Sequence, residues 1–528
     1  MPSANFQVKI GNVRPRVAAA SLEDLQPFET RNTASAFEGA GQGRRLANFQ
    51  PSRAHINAGI QANGRTLVKR ARFLVENNAH AGNAVDIWAG WLIGDGILPR
   101  FVEKSGNSGA RDALKDEFTA WAKECDAEGQ TNFSGLQEKV AREVYIAGEC
   151  FVRIRRRRTG DMRKTKIPLQ FQIYPSEMLD LSFNTALPGG NVVRMGIEFD
   201  QIGRRVAYHF WRFHPDDYHM NVVVSNERTR VPADQVFHVF DGRQGGQIRG
   251  VPKYARAIVK LFSLDTYDDA ELDRKKTAAL YAGFVTKQGE GSPIDQDGIE
   301  DDEPIDLEPG AMVVLNEGEK IEFSRPADVG GSYEPFMYRT LLQVAAALGI
   351  PYAYLTGDTT KGNFSNVRTE IMNFRRRISQ FQKNVIIPQL CERMIDEFMM
   401  TAEIAGVIGS ADSFAVTHIP PAMEWLDPRS DVEAEKSAVR AGFKSRADVA
   451  GANGYDVEEL DADRAAENAR LDAAKIIYDT DPRRTSGAGN NNAVSPGFGY
   501  TDAENEAATA EEVADMNSAS QGGDNVET

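Results

Sequence analysis

Several features that are common in proteins are scarce or missing in this sequence of 528 residues. Its three cysteines, Cys125, Cys150 and Cys391, lie far apart and form no Cys-x-x-Cys pair. The sequence therefore indicates neither a disulfide framework nor a cysteine zinc site, and we expect buried thiols. It has no run of about 18 uninterrupted apolar residues and no secretory signal at residues 1–11, so we expect a protein that folds in the cytosol without a membrane contact.

The sequence motifs of common enzyme classes are also missing. It contains no Gly-x-Gly-x-x-Gly, no Gly-x-x-x-x-Gly-Lys-Ser/Thr and no Gly-x-Ser-x-Gly. These motifs cradle nucleotide phosphates or expose a nucleophilic serine. We therefore expect no cofactor and no enzymatic activity, and any ATP hydrolysis must come from another protein.

Negative charge dominates the composition. The chain has 76 acidic and 61 basic residues, which give a formal net charge of −15 and a pI near 5.2. Because affinity for phosphate comes from Lys and Arg, the whole surface cannot grip nucleic acid, and any DNA should be held loosely or locally. A hydrophobic share of 41% is enough for several cores, so we expect a folded chain with several domains.

The hydrophobic period changes along the chain. Helical spacing dominates residues 56–97 and 110–147, whereas residues 150–238 contain short β-rich runs such as Phe151-Val-Arg-Ile. This order predicts an α+β domain. Trp88 and Trp91 are three residues apart on one helix face and are expected to pack in its core.

Two further helices flank an acidic segment. The first is predicted from Pro252 to about Val285, and the second from Ser332 to the stop at Gly349. Residues 288–319 between them contain no Lys or Arg and many carboxylates. Within this region, residues 311–315 and 320–323 look like two short strands around a turn.

The longest predicted helix follows a loop of turn-forming residues at 356–365. Apolar residues then repeat at alternating spacings of four and three, which places them on one narrow stripe. They are Val367, Ile371, Phe374, Ile378, Phe381 and Val385. Pro388 should kink this helix, which continues to about Ala405. Residues 485–528 have no basic side chain and are predicted to be a disordered acidic tail.

Two clusters carry candidate chemistry. His209, His214 and His219, with Asp216 and Asp217, could ligate a divalent metal, but His209 lies in an apparent strand and Pro215-Asp-Asp reads as a turn, so the spacing fits poorly. The other cluster is basic and lies between two strand-like runs, as at a hairpin tip that touches solvent, DNA or an acidic partner. Its members are Arg153, Arg155, Arg156, Arg157, Arg158, Arg163, Lys164 and Lys166.

The order of these parts resembles that of the lambda-type phage portal proteins from about Arg70 to Ala466. Residues 238–252, which read His-Val-Phe-Asp-Gly-Arg-Gln-Gly-Gly-Gln-Ile-Arg-Gly-Val-Pro, look like the entry into the family's stem. Similar pieces are Asp268-Asp-Ala-Glu-Leu-Asp, Leu348-Gly-Ile-Pro-Tyr with Asn363-Phe-Ser-Asn-Val-Arg, and Trp425-Leu-Asp-Pro. Each piece is weak alone, but their order and separations together are specific.

The resemblance implies a mostly helical α+β portal fold that assembles as a ring. The implied parts are an N-terminal arm (1–54), a wing (55–250), stem helix 1 (251–287), a clip (288–331), stem helix 2 (332–355), a tunnel loop (356–366), a kinked tunnel helix with the return to the wing (367–427), a crown (428–478) and the acidic tail (479–528). The alternatives are another head-tail protein, such as an adaptor or capsid subunit, or a metal-dependent hydrolase built on the histidines.

The resemblance also implies sites and partners. Lys361, Asn363 and Arg368 would face double-stranded DNA in the channel. The clip would dock the terminase large subunit and later a head-to-tail adaptor through Glu300, Asp301, Asp302, Glu303 and Asp306. Arg155, Arg156, Arg157 and Arg158 would form a basic hairpin contact. Further partners would be other copies of the chain, usually twelve, and the major capsid or scaffold protein, at one capsid vertex of the virion after assembly in the host cytoplasm.

Overall fold

The computed structural model describes residues 54–476 except 106–107, 159, 218–226, 280–282, 288–318, 324–332, 361 and 426, together with the isolated residues 48, 51, 478 and 483. The chain forms two compact units, residues 1–62 and residues 63–528. Of the first unit, the structure describes little beyond the start of helix α1. Most of the predicted arm and most of the predicted acidic tail lie outside the described residues.

Helices dominate both ends of the described chain. The first four are α1 (Ile56–Asn77), α2 (Ala79–Ile93), α3 (Ser108–Ala122) and α4 (Phe133–Ile146). The next five are α5 (Ile258–Ala279), α6 (Tyr333–Leu348), α7 (Tyr352–Thr356), α8 (Phe364–Phe381) and α9 (Glu392–Ile404). The last three are α10 (Pro428–Arg440), α11 (Arg446–Ala452) and α12 (Val457–Ala474). No helix among the described residues is long and apolar enough to span a membrane.

The strands form four antiparallel sheets among the described residues. The strands are β1 (Leu98–Glu103), β2 (Glu149–Arg156), β3 (Leu169–Pro175), β4 (Thr185–Ala186), β5 (Val192–Arg194), β6 (Ile197–Phe199), β7 (Arg205–Trp211), β8 (Arg228–Pro232), β9 (Val236–Phe240), β10 (Gly283–Lys287), β11 (Glu319–Phe323) and β12 (Phe414–Ile419). Their orders are β3-β2-β9, β4-β5-β6-β7-β8, β1-β12 and β10-β11. The α+β class predicted from the change of period is confirmed.

Aromatic side chains in the core join α2, α3 and α4 to α8 and α9. Trp121 packs against Phe398 with ring centroids 4.8 Å apart, and Trp88 lies 5.1 Å from both Tyr145 and Phe381. Such pairs add to the free energy gained by burying their area. The predicted core position of Trp88 is confirmed, while Trp91 on the same face is only partly buried. All three cysteines are free and buried, as expected.

The first predicted stem helix is shorter than the sequence suggested. It opens with a 3-10 turn at Lys253–Arg256, and α5 ends at Ala279 rather than near Val285. Residues 283–287 form β10 instead, which pairs with β11. The run Phe284-Val-Thr favours a strand over a helix, since aromatic and β-branched residues suit a pleated sheet. The strand predicted at 320–323 is therefore present, and the one at 311–315 lies outside the described residues.

The long helix predicted around Pro388 is interrupted by a wider turn. Residues 382–391 are π-helical and include Pro388, with α8 before them and α9 after them. Proline has no backbone N–H and its ring clashes with the preceding turn, so a regular α-helical ladder cannot pass through it. The predicted stripe is buried at Ile371, Phe374, Ile378, Phe381 and Val385.

Candidate functional site

Aromatic side chains hold α5 and α6 together near the start of α6. Tyr267 stacks on Tyr333 with centroids 5.9 Å apart and contacts Phe336 at 4.6 Å. The Tyr333 hydroxyl donates a hydrogen bond to Asp268, and this contact raises the pKa of Tyr333 to about 12. The same helices also bury Leu261 of α5 and Val344 of α6 in the core, so only part of each helix surface stays exposed.

Large apolar side chains lie on that uncovered surface. Val259, Phe262 and Leu272 of α5 and Phe336 of α6 are each about half exposed or more, and Phe262 is 65% exposed. Exposed apolar side chains on one helix pair are typical of a surface that contacts another molecule.

A buried charge cluster fixes the segment that leads into α5. Glu149, the first residue of β2, accepts hydrogen bonds from Arg249 Nε at 2.7 Å and from the Gly250 amide at 2.8 Å. His238 Nε2, on β9, lies 3.0 Å from Glu149 Oε2. Arg249 also donates to the Met195 carbonyl at 2.9 Å. The side chains of Glu149, His238 and Arg249 are almost completely buried, so each polar group needs its partner within the protein.

The protonation of this cluster follows from its burial and its charges. Burial alone would raise the pKa of Glu149, but the Arg249 guanidinium and the hydrogen bond to His238 outweigh burial and hold that pKa well below its usual range. Burial lowers the pKa of His238 to about 4 even though Glu149 acts in the opposite direction. At neutral pH the cluster is therefore a Glu149 and Arg249 ion pair with a neutral imidazole.

The backbone at this cluster leaves no room for side chains. A Cβ on Gly148, where φ is +89°, would lie 2.3 Å from the Val251 carbonyl carbon, and one on Gly250 would lie 2.1 Å from the Gly148 carbonyl oxygen. These two glycines let the start of β2 approach residues 250–252 closely. The sequence contained both glycines, but nothing in it indicated that Glu149, a hundred residues before Arg249, would be the partner.

Of the residues predicted to line the channel, Asn363 and Arg368 lie at the start of α8 and within it. Asn363 caps this helix by accepting a hydrogen bond from the Asn366 amide at 2.9 Å, and Lys361 lies outside the described residues. In the loop before it, Asp358 Oδ1 accepts from the Thr360 amide at 2.9 Å. Arg368 lies 3.6 Å from Asp431 of α10, so its charge is shared with a carboxylate of the C-terminal helices.

The face of α8 opposite the buried stripe is polar. Its exposed residues recur at spacings of four and three and belong to one side of the helix, which extends into the π-helical segment. They are Thr369, Asn373, Arg376, Gln380 and Lys383. This line of side chains carries two cations, and the exposed side chains of Glu370, Met372 and Arg377 lie beside it.

Ion pairs connect the C-terminal helices to the rest of the unit. Arg100 of β1 lies 3.2 Å from Asp456 and 3.0 Å from Glu458, and Arg111 of α3 pairs with Glu458 as well. A cleft of about 990 Å³ lies beside these pairs. The carboxylates of Asp456 and Glu458 in its lining are engaged with these arginines.

The histidines do not come together as the metal hypothesis required. His209 Nε2, buried on β7, lies 3.3 Å from Glu198 Oε2, which also binds Arg230 at 2.7 Å. Burial lowers the pKa of His209 despite that carboxylate. His214 Nδ1 accepts a hydrogen bond from the Asp216 amide, and His219 lies outside the described residues. No group of three metal-ligating side chains occurs in the part of the chain that the structure describes.

The acidic clip residues Glu300, Asp301, Asp302, Glu303 and Asp306 lie outside the described residues. The basic hairpin is present, since β2 and β3 pair antiparallel from Cys150 opposite Pro175 to Arg156 opposite Leu169. Arg156 binds Glu397 of α9 at 2.8 Å. Arg155 binds the neutral side chains of Gln172 and Tyr174.

Comparison with known proteins identifies the class to which this fold belongs. The model of the family described as phage portal protein, lambda family, matches residues 42–382. The probable portal protein of Halomonas phage phiHAP-1 is 26% identical over 415 residues, which cover 75% of this chain and 78% of that protein. Portal protein B of Escherichia phage lambda is 22% identical over 373 residues, 62% of this chain and 67% of its own length.

Two similarities to solved structures are more distant. A chain from the neck of a native gene transfer agent particle is 14% identical, with a TM-score of 0.42 over 74% of this chain and 93% of its own. An HK97-family phage portal protein from Corynebacterium diphtheriae is 10% identical, with a TM-score of 0.30 over 71% of this chain and 96% of its own.

A family model that covers residues 42–382 spans most of the sequence. This chain belongs to the lambda family of phage portal proteins. Its function is that of a portal protein, a structural component of the phage particle, as the resemblance in the sequence predicted.

The buried charge cluster predicts the effect of one substitution on stability. Arg249→Met removes the partner of a buried carboxylate and should cost about 3–5 kcal/mol, because Glu149 is left charged and unpaired. Thermal unfolding followed by circular dichroism measures this loss. The matched control is Arg212→Met, whose exposed pair with Glu227 at 3.2 Å should contribute almost nothing. Equal midpoints for the two variants would contradict a stabilising role for the cluster.

The same cluster predicts how stability depends on pH. The folded pKa of His238, about 4, lies below its ordinary value of 6.5, so the unfolded chain binds the proton more tightly. Stability should therefore fall as the pH decreases from about 6.5 to 4, and the lowered pKa of Glu149 continues the loss at lower pH.

Measuring the unfolding midpoint against pH checks this expectation. His238→Asn should flatten the slope between about pH 6.5 and 4, while His55→Asn, at an exposed histidine, should keep the wild-type slope. An unchanged slope in His238→Asn would show that another group controls the acid sensitivity.

Proposed function

We propose that twelve copies of this chain assemble into a closed ring at one capsid vertex, and that double-stranded DNA enters and leaves the phage head through its centre. The observation that carries this proposal is the exposed apolar surface of the helix pair. Val259, Phe262 and Leu272 stay more than half exposed in the part of the chain that the structure describes. Identical copies related by rotation can cover them, since a heterologous interface that closes on itself makes a ring.

The energy available from this contact is substantial. Full burial of a single Phe or Leu side chain contributes roughly 1.5–3 kcal/mol. Every interface in a ring repeats the same contacts, so several such side chains per copy favour assembly strongly. The α5 and α6 pair would then form the stem of the ring, and β10 and β11 would begin the clip at its end.

We place the channel wall at the loop before α8 and at the exposed polar face of α8. Lys361 and Asn363 belong to the loop, and Arg376, Arg377 and Lys383 are exposed cations along the helix and the segment after it. DNA carries about one charge per ~1.7 Å of axis, so a densely basic wall would bind it tightly and stall its movement. Sparse cations in an acidic protein suit a passage through which DNA slides. Arg368 enters this proposal as a partly neutralised charge, because of Asp431.

The proposal for the remaining partners follows from the resemblance to the family. We propose that the acidic residues Glu300, Asp301, Asp302, Glu303 and Asp306 dock the terminase large subunit during packaging and a head-to-tail adaptor afterwards. The ring would contact the major capsid or scaffold protein in the host cytoplasm during assembly and would remain in the virion. The chain would act as a conduit and would make or break no covalent bond.

Ring assembly should depend on Phe262. Phe262→Glu places a charge on the apolar surface of α5 and should cost each interface at least the roughly 1.5–3 kcal/mol of the lost phenyl contact. Sedimentation velocity and negative-stain microscopy should show smaller species in place of rings.

The control is Ile202→Glu, which changes a side chain that is 74% exposed in the turn between β6 and β7 and should leave the rings intact. Circular dichroism confirms that both variants fold. Intact rings of Phe262→Glu over the whole concentration range would remove the helix pair from the assembly interface.

Lys361 should affect DNA movement without affecting assembly. In Lys361→Ala, rings should form normally, while packaged genome length or DNA retention after packaging should fall because one phosphate contact per subunit is lost. The control is Lys436→Ala, at an exposed lysine 3.5 Å from Glu433. Wild-type packaging and retention in Lys361→Ala would exclude that side chain from the channel mechanism.

A further inference from the structure

The loop of the basic hairpin is held in place through its backbone. It joins β2 to β3 over residues 157–168. Glu124, in the turn after α3, accepts hydrogen bonds from the Arg163 and Lys164 amides, both at 3.0 Å, and Glu117 of α3 accepts from the Lys166 amide at 2.5 Å. Because these carboxylates bind main-chain N–H groups, they fix the path of the loop and leave the basic side chains free.

The side chains on the loop are exposed cations. Those of Arg158, Arg163, Lys164 and Lys166 are all solvent-exposed, and none forms an ion pair within the described residues. Asp161 is the only carboxylate in the loop sequence, and it accepts a hydrogen bond from the Arg158 amide at 3.1 Å. The loop thus presents uncompensated positive charge on a chain whose net charge is −15.

The strands extend this positive surface. Arg153, Arg155 and Arg157 alternate along β2 and its extension, so they share one face and are roughly 6.6 Å apart. Their side-chain partners are the neutral groups of Gln170, Gln172 and Tyr174, with Arg157 Nε 2.5 Å from Gln170 Oε1. These partners orient the guanidinium groups without neutralising them. Burial lowers the pKa of Arg155, and Arg153 and Arg157 act in the same direction.

The chemistry of this surface favours one class of partner. Protein interfaces have a core of buried apolar and aromatic side chains, whereas residues 157–166 offer Arg, Lys, Thr, Gly and Asp, with Met162 as the one apolar side chain. A polyanion with regularly spaced charges needs no apolar core. Guanidinium groups that repeat along β2 suit the repeated phosphates of a nucleic-acid backbone.

We propose that the basic hairpin, residues 153–166, is a binding surface for the phosphate backbone of double-stranded DNA, separate from the channel. The surface reads no sequence, because it contacts phosphates only. Binding to this surface would need neither a free DNA end nor passage through a channel. The inference does not require the ring, so it can fail while the proposed function stands.

The test uses a covalently closed circular duplex, which has no end to thread into a channel. Binding to the purified full-length protein is measured by gel shift over a range of NaCl concentrations. The variant carries Arg158→Gln, Arg163→Gln, Lys164→Gln and Lys166→Gln together. The matched control removes four exposed basic charges elsewhere, through Arg194→Gln, Arg204→Gln, Arg429→Gln and Arg440→Gln.

The hairpin variant should bind the circle about tenfold or more weakly than wild type, and the slope of log K against log salt should fall by about three to four, close to 0.9 per lost phosphate contact. The control variant should keep most of the wild-type slope. Equal slopes for wild type and hairpin variant, or equal losses in the two variants, would overturn the proposal. It would also be overturned if the hairpin variant kept its DNA binding but lost binding to purified major capsid protein, since the surface would then dock a protein.

Discussion

The pairing of Glu149 with Arg249 in the interior is the interaction on which the placement of the other parts depends. It joins the first residue of β2 to the segment that leads into α5, and His238 on β9 completes the contact. A buried carboxylate and a buried guanidinium have few other partners. The ion pair therefore fixes one geometry, even though its net contribution to the free energy of unfolding is small. As a result, the position at which the chain leaves the sheet and enters α5 is fixed by these hydrogen bonds and by the close approach of Gly148 and Gly250.

The helix pair itself has the opposite character. Its inner contact is a short aromatic cluster around Tyr267, while Phe262 and its apolar neighbours face outward. Because these large apolar side chains stay exposed in a single copy, packing against other copies would bury additional apolar area. The buried charge cluster also matters for ring assembly, because copies can cover one another's helix pairs only if every copy presents its helices in the same orientation.

The parts of this fold that rest on local pattern could be predicted from the sequence. The α+β class, the buried stripe of α8 with Ile371 and Phe374, and the end of α6 before Gly349 all follow from periodicity and capping signals within a few turns of helix. The family was also recognisable, because the order of several weak motifs is more specific than any one of them. The end of α5 was placed too late, since its apolar residues continue into β10 and the pattern does not show where the helix stops.

The long-range contacts could not be predicted in this way. Nothing near Glu149 in the sequence points to Arg249 or His238, and nothing near Arg368 points to Asp431. The basic hairpin illustrates both what the sequence could predict and what it could not. Its basic residues were evident, but only the structure shows that Glu117 and Glu124 bind the backbone and leave the cations unpaired. For the histidines, the residue types allowed a metal site although their spacing fitted it poorly, and in the structure His209 lies beside Glu198.

The central claim is that this chain is completed by copies of itself around a central channel. Native mass spectrometry of the purified wild-type protein tests it most directly. For twelve copies of the 58.2-kDa chain, the account predicts a closed assembly of about 700 kDa, seen as a ring with a hole by negative-stain microscopy. A folded protein that stays monomeric at every concentration and salt would contradict the account.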